Sequence, residues 1–176
     1  MKIKALFLDR DGVINIDYGY VYKIENFKFN SGIFELLRFF TQKGYKLFIV
    51  TNQSGIGRGY YSQEEFISLT KWMLDEFKKR KIYIESVEYC NHAPEESCNC
   101  RKPKTGMIDN ILSKYNIDLE NSWLIGDKQS DIDLAHNTSI GHTVSIGERK
   151  IINSSLSFST ILDFKRYLEE NQDRII

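Results

Sequence analysis

Residues 5–12 read ALFLDRDG, a run of four apolar residues followed by two carboxylates and a glycine. The apolar run predicts a short buried strand. Because residues i and i+2 of an extended chain point the same way, Asp9 and Asp11 are expected to face one pocket at the carboxyl end of this strand. Two carboxylates at one spot repel each other, so the pair indicates a divalent cation or a shared proton. Asp and Gly are also common in ordinary turns, and these residues alone fit that alternative as well.

The composition of the chain limits its size and its partners. It has 176 residues, with 24 Lys and Arg against 24 Asp and Glu. This length predicts one domain over residues 1–176, and the balanced charge argues against a nucleic-acid or membrane partner. No apolar run reaches membrane-spanning length and the N-terminus shows no cleavable signal, so we expect a cytoplasmic protein. We also expect it to be a monomer.

Apolar runs alternate with helical patterns along the rest of the chain. This alternation predicts an α/β fold with a central parallel sheet and helices on both faces. Further strands are predicted over residues 47–50, 87–90, 123–125 and 143–146. Helices are predicted over residues 31–44, 62–77, 108–115 and 161–168, the first with Ser31 as its cap and the second with the capping-box spacing of Ser62 and Glu65. Residues 17–30 predict a small flap, and residues 153–160 a polar loop.

Two more predicted strands also end in polar side chains. Thr51 and Asn52 follow the second strand, and Asp127 and Lys128 follow the strand over residues 123–125. Either pair alone is usual in a turn or a helix cap. In a parallel sheet, however, these ends open on the same edge as Asp9, where carboxylates, a hydroxyl and an ammonium together indicate a metal-assisted anion site.

All three cysteines lie within one short segment, residues 90–100, together with a histidine. Cys90, His92, Cys98 and Cys100 form a Cys₃His set, which is a common closed ligand set for structural zinc. The alternative is a group of free thiols beside a surface histidine. A zinc ion there would order this loop and hold the next two residues, which are cationic, in place.

The segments LDRDGV, VTNQSG, CRKPK and IGDK occur in this order and resemble the motifs of the haloacid dehalogenase superfamily of phosphatases. Within it, the chain is similar to a zinc-loop branch that includes heptose 1,7-bisphosphate 7-phosphatases and histidinol-phosphate phosphatases. The resemblance implies a three-layer Rossmann-like fold with a small flap. The intervals from Asp11 to Thr51 and from Thr51 to Lys102 are filled by predicted helices, a strand and the zinc loop, so no large cap domain fits.

The resemblance also implies catalytic roles. Asp9 would be the nucleophile that forms an aspartyl-phosphate, and Asp11 the general acid and then the base. We expect nearby negative charge to keep Asp11 protonated until it is needed. Mg²⁺ would be held by the carboxylate of Asp9, the backbone carbonyl of Asp11 and Asp127. Thr51 and Lys102 would bind the transferring phosphoryl oxygens.

Substrate contacts are implied for a second group of residues. They are Asp17, Tyr18, Gly19, Tyr20, Asn52, Gln53, Ser54, Arg101 and Lys128. Arg101 suits a bidentate grip on a second phosphate. For Tyr18 and Tyr20, stacking on a sugar and packing within the flap are equally compatible with the sequence.

Different stretches resemble the two kinds of phosphatase. Residues 17–21, 53–59 and 106–107 resemble the heptose enzymes, whereas the short spacing from His92 to Cys98 resembles the histidinol-phosphate branch. Thr105 stands where the heptose enzymes usually have proline. The three stretches that resemble the heptose enzymes would contact substrate, so they outweigh the loop spacing. The resemblance thus implies Mg²⁺-dependent removal of the 7-phosphate of a heptose bisphosphate, on the route to nucleotide-activated heptose. Histidinol-phosphate hydrolysis and a non-catalytic zinc-stabilised binding module are the alternatives.

Overall fold

The computed structural model describes residues 2–171, so the first residue and residues 172–176 of the predicted domain lie outside the described part. The strands are β1 (Ala5–Leu8), β2 (Lys46–Asn52), β3 (Ile84–Cys90), β4 (Trp123–Gly126), β5 (His142–Ile146) and β6 (Leu156–Phe158). The helices are α1 (Ile33–Gln42), α2 (Ser54–Gly57), α3 (Gln63–Lys79), α4 (Gly106–Leu112), α5 (Gln129–Asn137) and α6 (Ile161–Glu170). A 3-10 helix, Ile24–Asn26, lies within the predicted flap.

The six strands form one parallel sheet in the order β3-β2-β1-β4-β5-β6. Side chains alternate between its faces: Leu6 and Leu8 pack with buried residues of α1, α3 and α6, and Ala5 and Phe7 pack with those of α4 and α5. Each buried Leu or Phe side chain contributes about 1.5–3 kcal/mol. Because helices cover both faces of the sheet, the central strands β1 and β4 are buried along their whole length and are continuous apolar runs. The predicted three-layer α/β fold is confirmed.

Helix α3 begins as its sequence predicts. The backbone N–H of Glu65 donates to Ser62 Oγ at 3.1 Å, and the N–H of Ser62 donates to Glu65 Oε2 at 2.8 Å, which completes the capping box. The apolar stripe of the helix is buried at Phe66, Leu69, Met73 and Phe77. Local pattern and tertiary packing therefore agree along this element.

The predicted cap of α1 is wrong. Gly32, not Ser31, is the N-cap residue, and no side chain caps the helix. Gly32 has a φ of +83°, and a Cβ there would lie 2.6 Å from Leu162 Cδ2. A left-handed turn packed closely against α6 therefore starts this helix, and such a turn favours glycine.

The predicted polar loop over residues 153–160 contains a strand, β6, so that prediction is wrong. Leu156 and Phe158 pack partly buried against the core, and β6 pairs in parallel with β5. Its serines bond to hydroxyls of β5: Ser155 N donates to Thr143 Oγ1 at 2.8 Å, and Ser145 Oγ donates to Ser157 Oγ at 2.9 Å. Serine-rich composition hid the strand because its pairing with β5 and the packing of Leu156 and Phe158 exist only in the folded chain.

The intervals between the predicted site residues hold only small elements. Between Asp11 and Thr51 the chain forms the flap, α1 and most of β2, and between Thr51 and Lys102 it forms α2, α3, β3 and the cysteine loop. No cap domain occurs in either interval of the described chain, as predicted. Within residues 2–171, none of the helices combines the length and the apolar character that crossing a bilayer requires.

Candidate active site

The carboxyl ends of three neighbouring strands form the site. Strand β1 lies between β2 and β4 in the sheet. Asp9 follows β1, Thr51 lies near the end of β2 and Asp127 follows β4. In a parallel sheet these ends share one edge, where open α/β folds bind their ligands. The structure thus brings together the strand-end residues that the sequence singles out.

The ammonium group of Lys102 lies at the centre of this edge. Its Nζ is 3.0 Å from Asp9 Oδ1 and 2.7 Å from Asp131 Oδ1, and it donates to the Val50 carbonyl at 2.9 Å. Burial alone would lower the pKa of Lys102, but Asp131 and Asp9 outweigh that effect and raise it. Lys102 is therefore a fixed cation between two buried carboxylates.

Asp9 is held by two donors on one oxygen. Its Oδ1 accepts the backbone N–H of Arg10 at 2.8 Å and lies beside the Lys102 ammonium. Burial raises the pKa of Asp9 to about 7, although the charge of Lys102 opposes that shift. The buried carboxylate therefore depends on nearby cations to remain ionised at neutral pH.

Asp127 has one bonded and one unbonded carboxylate oxygen. Arg149 binds Oδ2 and also donates to the Asp127 backbone carbonyl at 3.3 Å. Oδ1 is buried and accepts no hydrogen bond from the described residues. A Cβ at Gly12 (φ +89°) would lie 2.4 Å from Asp127 Cγ, so a glycine is needed for the first strand's loop to approach this carboxylate.

This edge fits a divalent cation. Asp9, Asp127 and Asp131 offer carboxylate oxygens within 4.8 Å of one another, and hard cations prefer oxygen ligands. The unbonded Asp127 Oδ1 is a buried acceptor that such an ion would satisfy. Both oxygens of Asp131 are already used, Oδ1 by Lys102 and Oδ2 by the backbone N–H groups of Asp127 and Lys128. The donor set therefore fits with Asp9 and Asp127 as ligands and Asp131 as their support.

Asp11 has a different environment from the one expected. Its Oδ1 accepts from Arg10 at 2.9 Å and Asn15 at 3.0 Å, and its Oδ2 accepts from Gln53 at 3.0 Å. Burial would raise the pKa of Asp11, but the Arg10 guanidinium and these hydrogen bonds lower it overall. The expectation that nearby negative charge keeps Asp11 protonated is therefore wrong, because the groups that touch the carboxylate in the structure are donors.

A cavity of about 340 Å³ opens beside these groups. Asp9, Thr51 and Asp127 lie next to its wall, since each contacts a lining residue. The cavity is lined by Asp11, Asp17, Gly19, Tyr20, Asn52, Gln53, Ser54, Tyr61, Arg101, Lys102, Lys128 and Ser130. Nearly all of the expected substrate-contacting residues thus surround one space.

The two flap tyrosines differ. Tyr20 lines the cavity and packs edge-on against Tyr60, with ring centroids 4.7 Å apart. Tyr18 is not part of the cavity lining, and 62% of its surface is exposed. The structure therefore supports a substrate contact by Tyr20 and not by Tyr18.

Two of the cationic side chains that line the cavity, Lys128 and Arg101, could bind an anion. Lys128 Nζ lies 3.5 Å from Asp17 Oδ2 and 3.8 Å from Asp127 Oδ1, which links the flap to the end of β4. Arg101 carries a buried Nη1 that has no hydrogen-bond partner in the described chain. A guanidinium with a spare donor beside a polar cavity suits a phosphate group.

The predicted zinc ligands converge. Cys90 Sγ lies 3.7 Å from Cys98 Sγ and 2.9 Å from Cys100 Sγ, and His92 Nδ1 lies 3.5 and 3.3 Å from the sulfurs of Cys90 and Cys100. A tetrahedral zinc ion with ligands near 2.3 Å would separate its sulfurs by roughly 3.8 Å. The four donor atoms fall within 4.8 Å of one another, so this set fits a closed metal site.

The cysteine loop is attached to the site through β2. The Asn52 side chain accepts the Lys102 N–H at 3.0 Å and donates to the Lys102 carbonyl at 3.4 Å. The Gln53 N–H also donates to the Cys90 carbonyl at 2.8 Å. Asn52 thus fixes the backbone at Lys102 rather than pointing freely at a ligand.

Sequence reasoning missed several residues of this site. Arg10, Tyr61, Ser130 and Arg149 touch or line it, yet none was singled out. Arg10 could have been suspected because it lies between the two first carboxylates. Arg149 gave no signal, since it reaches the site only through the loop after β5.

Comparisons with known proteins agree with this geometry. The HAD-hydrolase-like family model matches residues 99–142, which include Lys102 and Asp127. The chain is 52% identical to a D-glycero-α-D-manno-heptose-1,7-bisphosphate 7-phosphatase of Campylobacter jejuni, over 85% of the chain and 86% of that protein. It is 43% identical to a D-glycero-β-D-manno-heptose-1,7-bisphosphate 7-phosphatase of Helicobacter pylori, over 94% and 96%.

Solved structures share the fold. The D,D-heptose 1,7-bisphosphate phosphatase of B. bronchiseptica, complexed with magnesium and phosphate, matches with a TM-score of 0.83 at 22% identity, over 96% of this chain and 99% of that one. A heptose bisphosphate phosphatase from Burkholderia thailandensis matches with a TM-score of 0.67. On the sequence identities, the chain belongs to the family of D-glycero-D-manno-heptose-1,7-bisphosphate 7-phosphatases, within the haloacid-dehalogenase-like hydrolases.

Proposed function

We propose that the chain removes the 7-phosphate of D-glycero-D-manno-heptose 1,7-bisphosphate and leaves heptose 1-phosphate, a step in the synthesis of nucleotide-activated heptose. The observation that carries this proposal is the buried Asp9–Lys102 pair at the edge of a cavity that Asp11 also lines. A nucleophilic carboxylate, a fixed cation and a second carboxylate are the groups that phosphate transfer to a protein side chain requires. The names of relatives at 52% and 43% identity support the same substrate.

Asp9 would attack phosphorus. The sugar oxygen would leave, and an aspartyl-phosphate would form on the Asp9 carboxylate. Lys102 and the Thr51 hydroxyl would bind the phosphoryl oxygens, where charge is redistributed in the transition state. Lys102 is already fixed by Asp131 at 2.7 Å, so little reorganisation is needed when substrate binds. Water would then hydrolyse the aspartyl-phosphate.

Asp11 would handle the proton. Its Oδ1 accepts from both Arg10 and Asn15, whereas Oδ2 accepts only from Gln53 among the described residues, so Oδ2 would carry the proton toward the leaving sugar oxygen. The donors around Asp11 lower its pKa, whereas a bound phosphate would add negative charge nearby and raise it. After the sugar leaves, the same oxygen would take a proton from the attacking water.

Asp9, the backbone carbonyl of Asp11 and Asp127 would hold Mg²⁺. Bound there, the ion would neutralise phosphate charge that otherwise repels an incoming carboxylate. Cys90, His92, Cys98 and Cys100 would hold Zn²⁺, whose four protein ligands leave no position for substrate. All three cysteines are free and lie in this proposed zinc set. Free thiols are typical of a reducing compartment, so we propose that the protein is located in the cytoplasm.

The sugar and its second phosphate would occupy the rest of the cavity. Arg101, with its unpartnered Nη1, would bind the distal phosphate, and Lys128 and Ser54 would contact the substrate beside it. Asp17 and Gly19 would approach it from the flap. The absence of a cap domain in the described chain leaves this side open, which suits a bulky polar sugar. We propose that one domain, acting as a monomer, carries all of these groups.

Parallel assays with the two heptose bisphosphate anomers and with histidinol phosphate test this function. Histidinol phosphate is the second candidate because the interval from His92 to Cys98 is short. We expect kcat/KM for a heptose bisphosphate to exceed that for histidinol phosphate by roughly 100-fold, since the latter lacks a second phosphate. Asp9→Asn, which keeps the shape of the side chain, should abolish Mg²⁺-dependent phosphate release. A preference for histidinol phosphate would overturn the substrate proposal, and full activity of Asp9→Asn would overturn the mechanism.

A further inference from the structure

A buried hydrogen-bond chain connects Tyr61 to the reaction centre. The Tyr61 hydroxyl donates to Gln53 Oε1 at 2.6 Å. Gln53 Nε2 then donates to Thr51 Oγ1 at 2.9 Å and to Asp11 Oδ2 at 3.0 Å. Tyr61, Gln53 and Thr51 are each no more than 5% exposed, so water cannot easily replace these bonds.

The atoms of the Gln53 amide are all committed. Its two N–H hydrogens serve Thr51 and Asp11, and its oxygen accepts from Tyr61. If the amide turned over, its oxygen would face the Asp11 carboxylate, where two acceptors repel each other. The Tyr61 hydroxyl is the group that satisfies the amide oxygen in the correct orientation. Gln53 therefore has no amide hydrogen left for a substrate.

The direction of these bonds determines what Thr51 can do. A hydroxyl has one hydrogen and two acceptor positions. Because Thr51 Oγ1 accepts from Gln53, its own hydrogen is free to point at a phosphoryl oxygen. The same amide holds Asp11 Oδ2, the carboxylate oxygen that Arg10 and Asn15 leave open.

Tyr61 is itself tightly positioned. Its ring stacks on that of Tyr22, with centroids 5.0 Å apart and planes 8° apart. A Cβ at Gly55 would lie 2.1 Å from Tyr61 Cε1, so the backbone of α2 packs directly against the ring. The hydroxyl therefore has one place to go, which is the amide oxygen of Gln53.

We propose that Tyr61 and Gln53 are positioning residues of the phosphatase: Tyr61 fixes the amide of Gln53, which in turn aims the Thr51 hydroxyl and Asp11 Oδ2 at the transferring phosphoryl group. This inference rests on the proposed function. It moves Gln53 from the substrate-binding group to the support of the catalytic groups. The competing explanation is that Tyr61 is only a core aromatic, in which case its hydroxyl is dispensable.

The test compares Tyr61→Phe with Tyr60→Phe, a matched change at an exposed neighbouring tyrosine. Tyr61→Phe should lower kcat by roughly tenfold, because a buried amide oxygen loses its partner and Gln53 can turn over. KM should stay close to the wild-type value, since neither residue would bind substrate in the ground state. Tyr60→Phe should leave both constants unchanged. Equal kinetics of Tyr61→Phe and wild type would overturn the proposal.

A double-mutant cycle separates positioning through Gln53 from a general structural effect. Gln53→Met keeps the size of the side chain and removes the amide, so it should lower kcat at least as much as Tyr61→Phe. The double variant should then lose no more than Gln53→Met alone. If the losses of the two single variants multiply in the double variant, the proposal is overturned. It is also overturned if the loss of activity of each variant follows the loss in its thermal unfolding midpoint. Failure of the proposed function appears separately, as a wild-type protein that releases no phosphate from any of the substrates tested.

Discussion

At the scale of single residues, the site is built on ionic groups whose partners come from distant parts of the chain. Lys102 pairs with Asp9 and Asp131, which are far apart in sequence, and all three are buried. Charges buried in this way are stable only when they are paired and hydrogen-bonded. Removal of one partner would therefore leave an uncompensated charge in the active site.

Arg149 illustrates this dependence at Asp127, a proposed ligand of Mg²⁺. Arg149 binds Oδ2 and the backbone carbonyl of Asp127, whereas Oδ1 is buried and accepts no hydrogen bond from the described residues. The loop that carries it is tied to α5, because Gln129 bonds to both backbone groups of Ile152. The Gln129–Ile152 bonds thus help to hold Arg149 against Asp127.

Arg149→Met should lower the affinity of the substrate-free protein for Mg²⁺ by about tenfold, because groups that orient metal ligands typically contribute that much. Calorimetric titration with Mg²⁺ measures this without catalysis. Lys150→Met, a change of equal charge at the next residue, should bind the ion like wild type. Tighter binding by Arg149→Met would mean instead that the guanidinium only competes with the ion.

Residues of the site could be predicted where the chemistry is local to a motif. Asp9, Asp11 and Asp127 stand directly after apolar strands, so their position follows from the strand pattern. Tyr61 and Arg149 could not be found in this way, because each acts through a contact that exists only after tertiary folding. The charge environment of Asp11 was misjudged because the sequence places Arg10 beside it without showing that Arg10, Asn15 and Gln53 all donate to its carboxylate.

At the scale of elements, the cysteine loop and β2 act together. The loop supplies Arg101 and Lys102 immediately after Cys100, and the Asn52 side chain fixes the backbone of Lys102 from β2. The order of the loop therefore determines where two active-site cations lie. Loops without secondary structure usually need such a constraint to hold a fixed geometry.

If the loop binds zinc as proposed, Cys98→Ser should release the ion and lower kcat/KM by roughly 100-fold, since metal binding would supply the energy that orders this loop and its two cations. Elemental analysis and steady-state kinetics measure the two effects. Glu95→Gln, at an exposed position of the same loop, should retain both zinc and activity. A Cys98→Ser protein with unchanged metal content would contradict the assignment of this residue as a ligand.

Elements with a strong local signal were predicted well, and those set by neighbours were not. The capping box and apolar stripe made α3 predictable from its own residues. Strand β6 was missed because its serines find partners on β5, and the start of α1 was misplaced because Gly32 packs against α6. In both cases a tertiary contact outweighed the local composition.

At the scale of the whole molecule, the parallel sheet explains why so few residues specify a complete site. With β1 between β2 and β4, three consecutive sheet positions deliver their terminal residues to one edge. Two apolar cores, one on each face of the sheet, hold these strands in register. The fold could be predicted because alternating apolar runs and helices leave few other arrangements.

The two proposed metal sites should behave independently, because their donor atoms differ in chemistry and they lie in different parts of the fold. The oxygen set of Asp9 and Asp127 lies at the ends of two paired strands, whereas the proposed zinc ligands lie at the end of β3 and in the loop after it. Removal of Mg²⁺ should therefore abolish phosphate release reversibly with little change in thermal unfolding midpoint, while removal of Zn²⁺ should lower the midpoint by several degrees, as loss of about 1–2 kcal/mol would. Scanning calorimetry and phosphate release after selective chelation measure this. Asp127→Asn should lose the response to Mg²⁺ and keep that to Zn²⁺, and a single metal that restored both properties would contradict two separate sites.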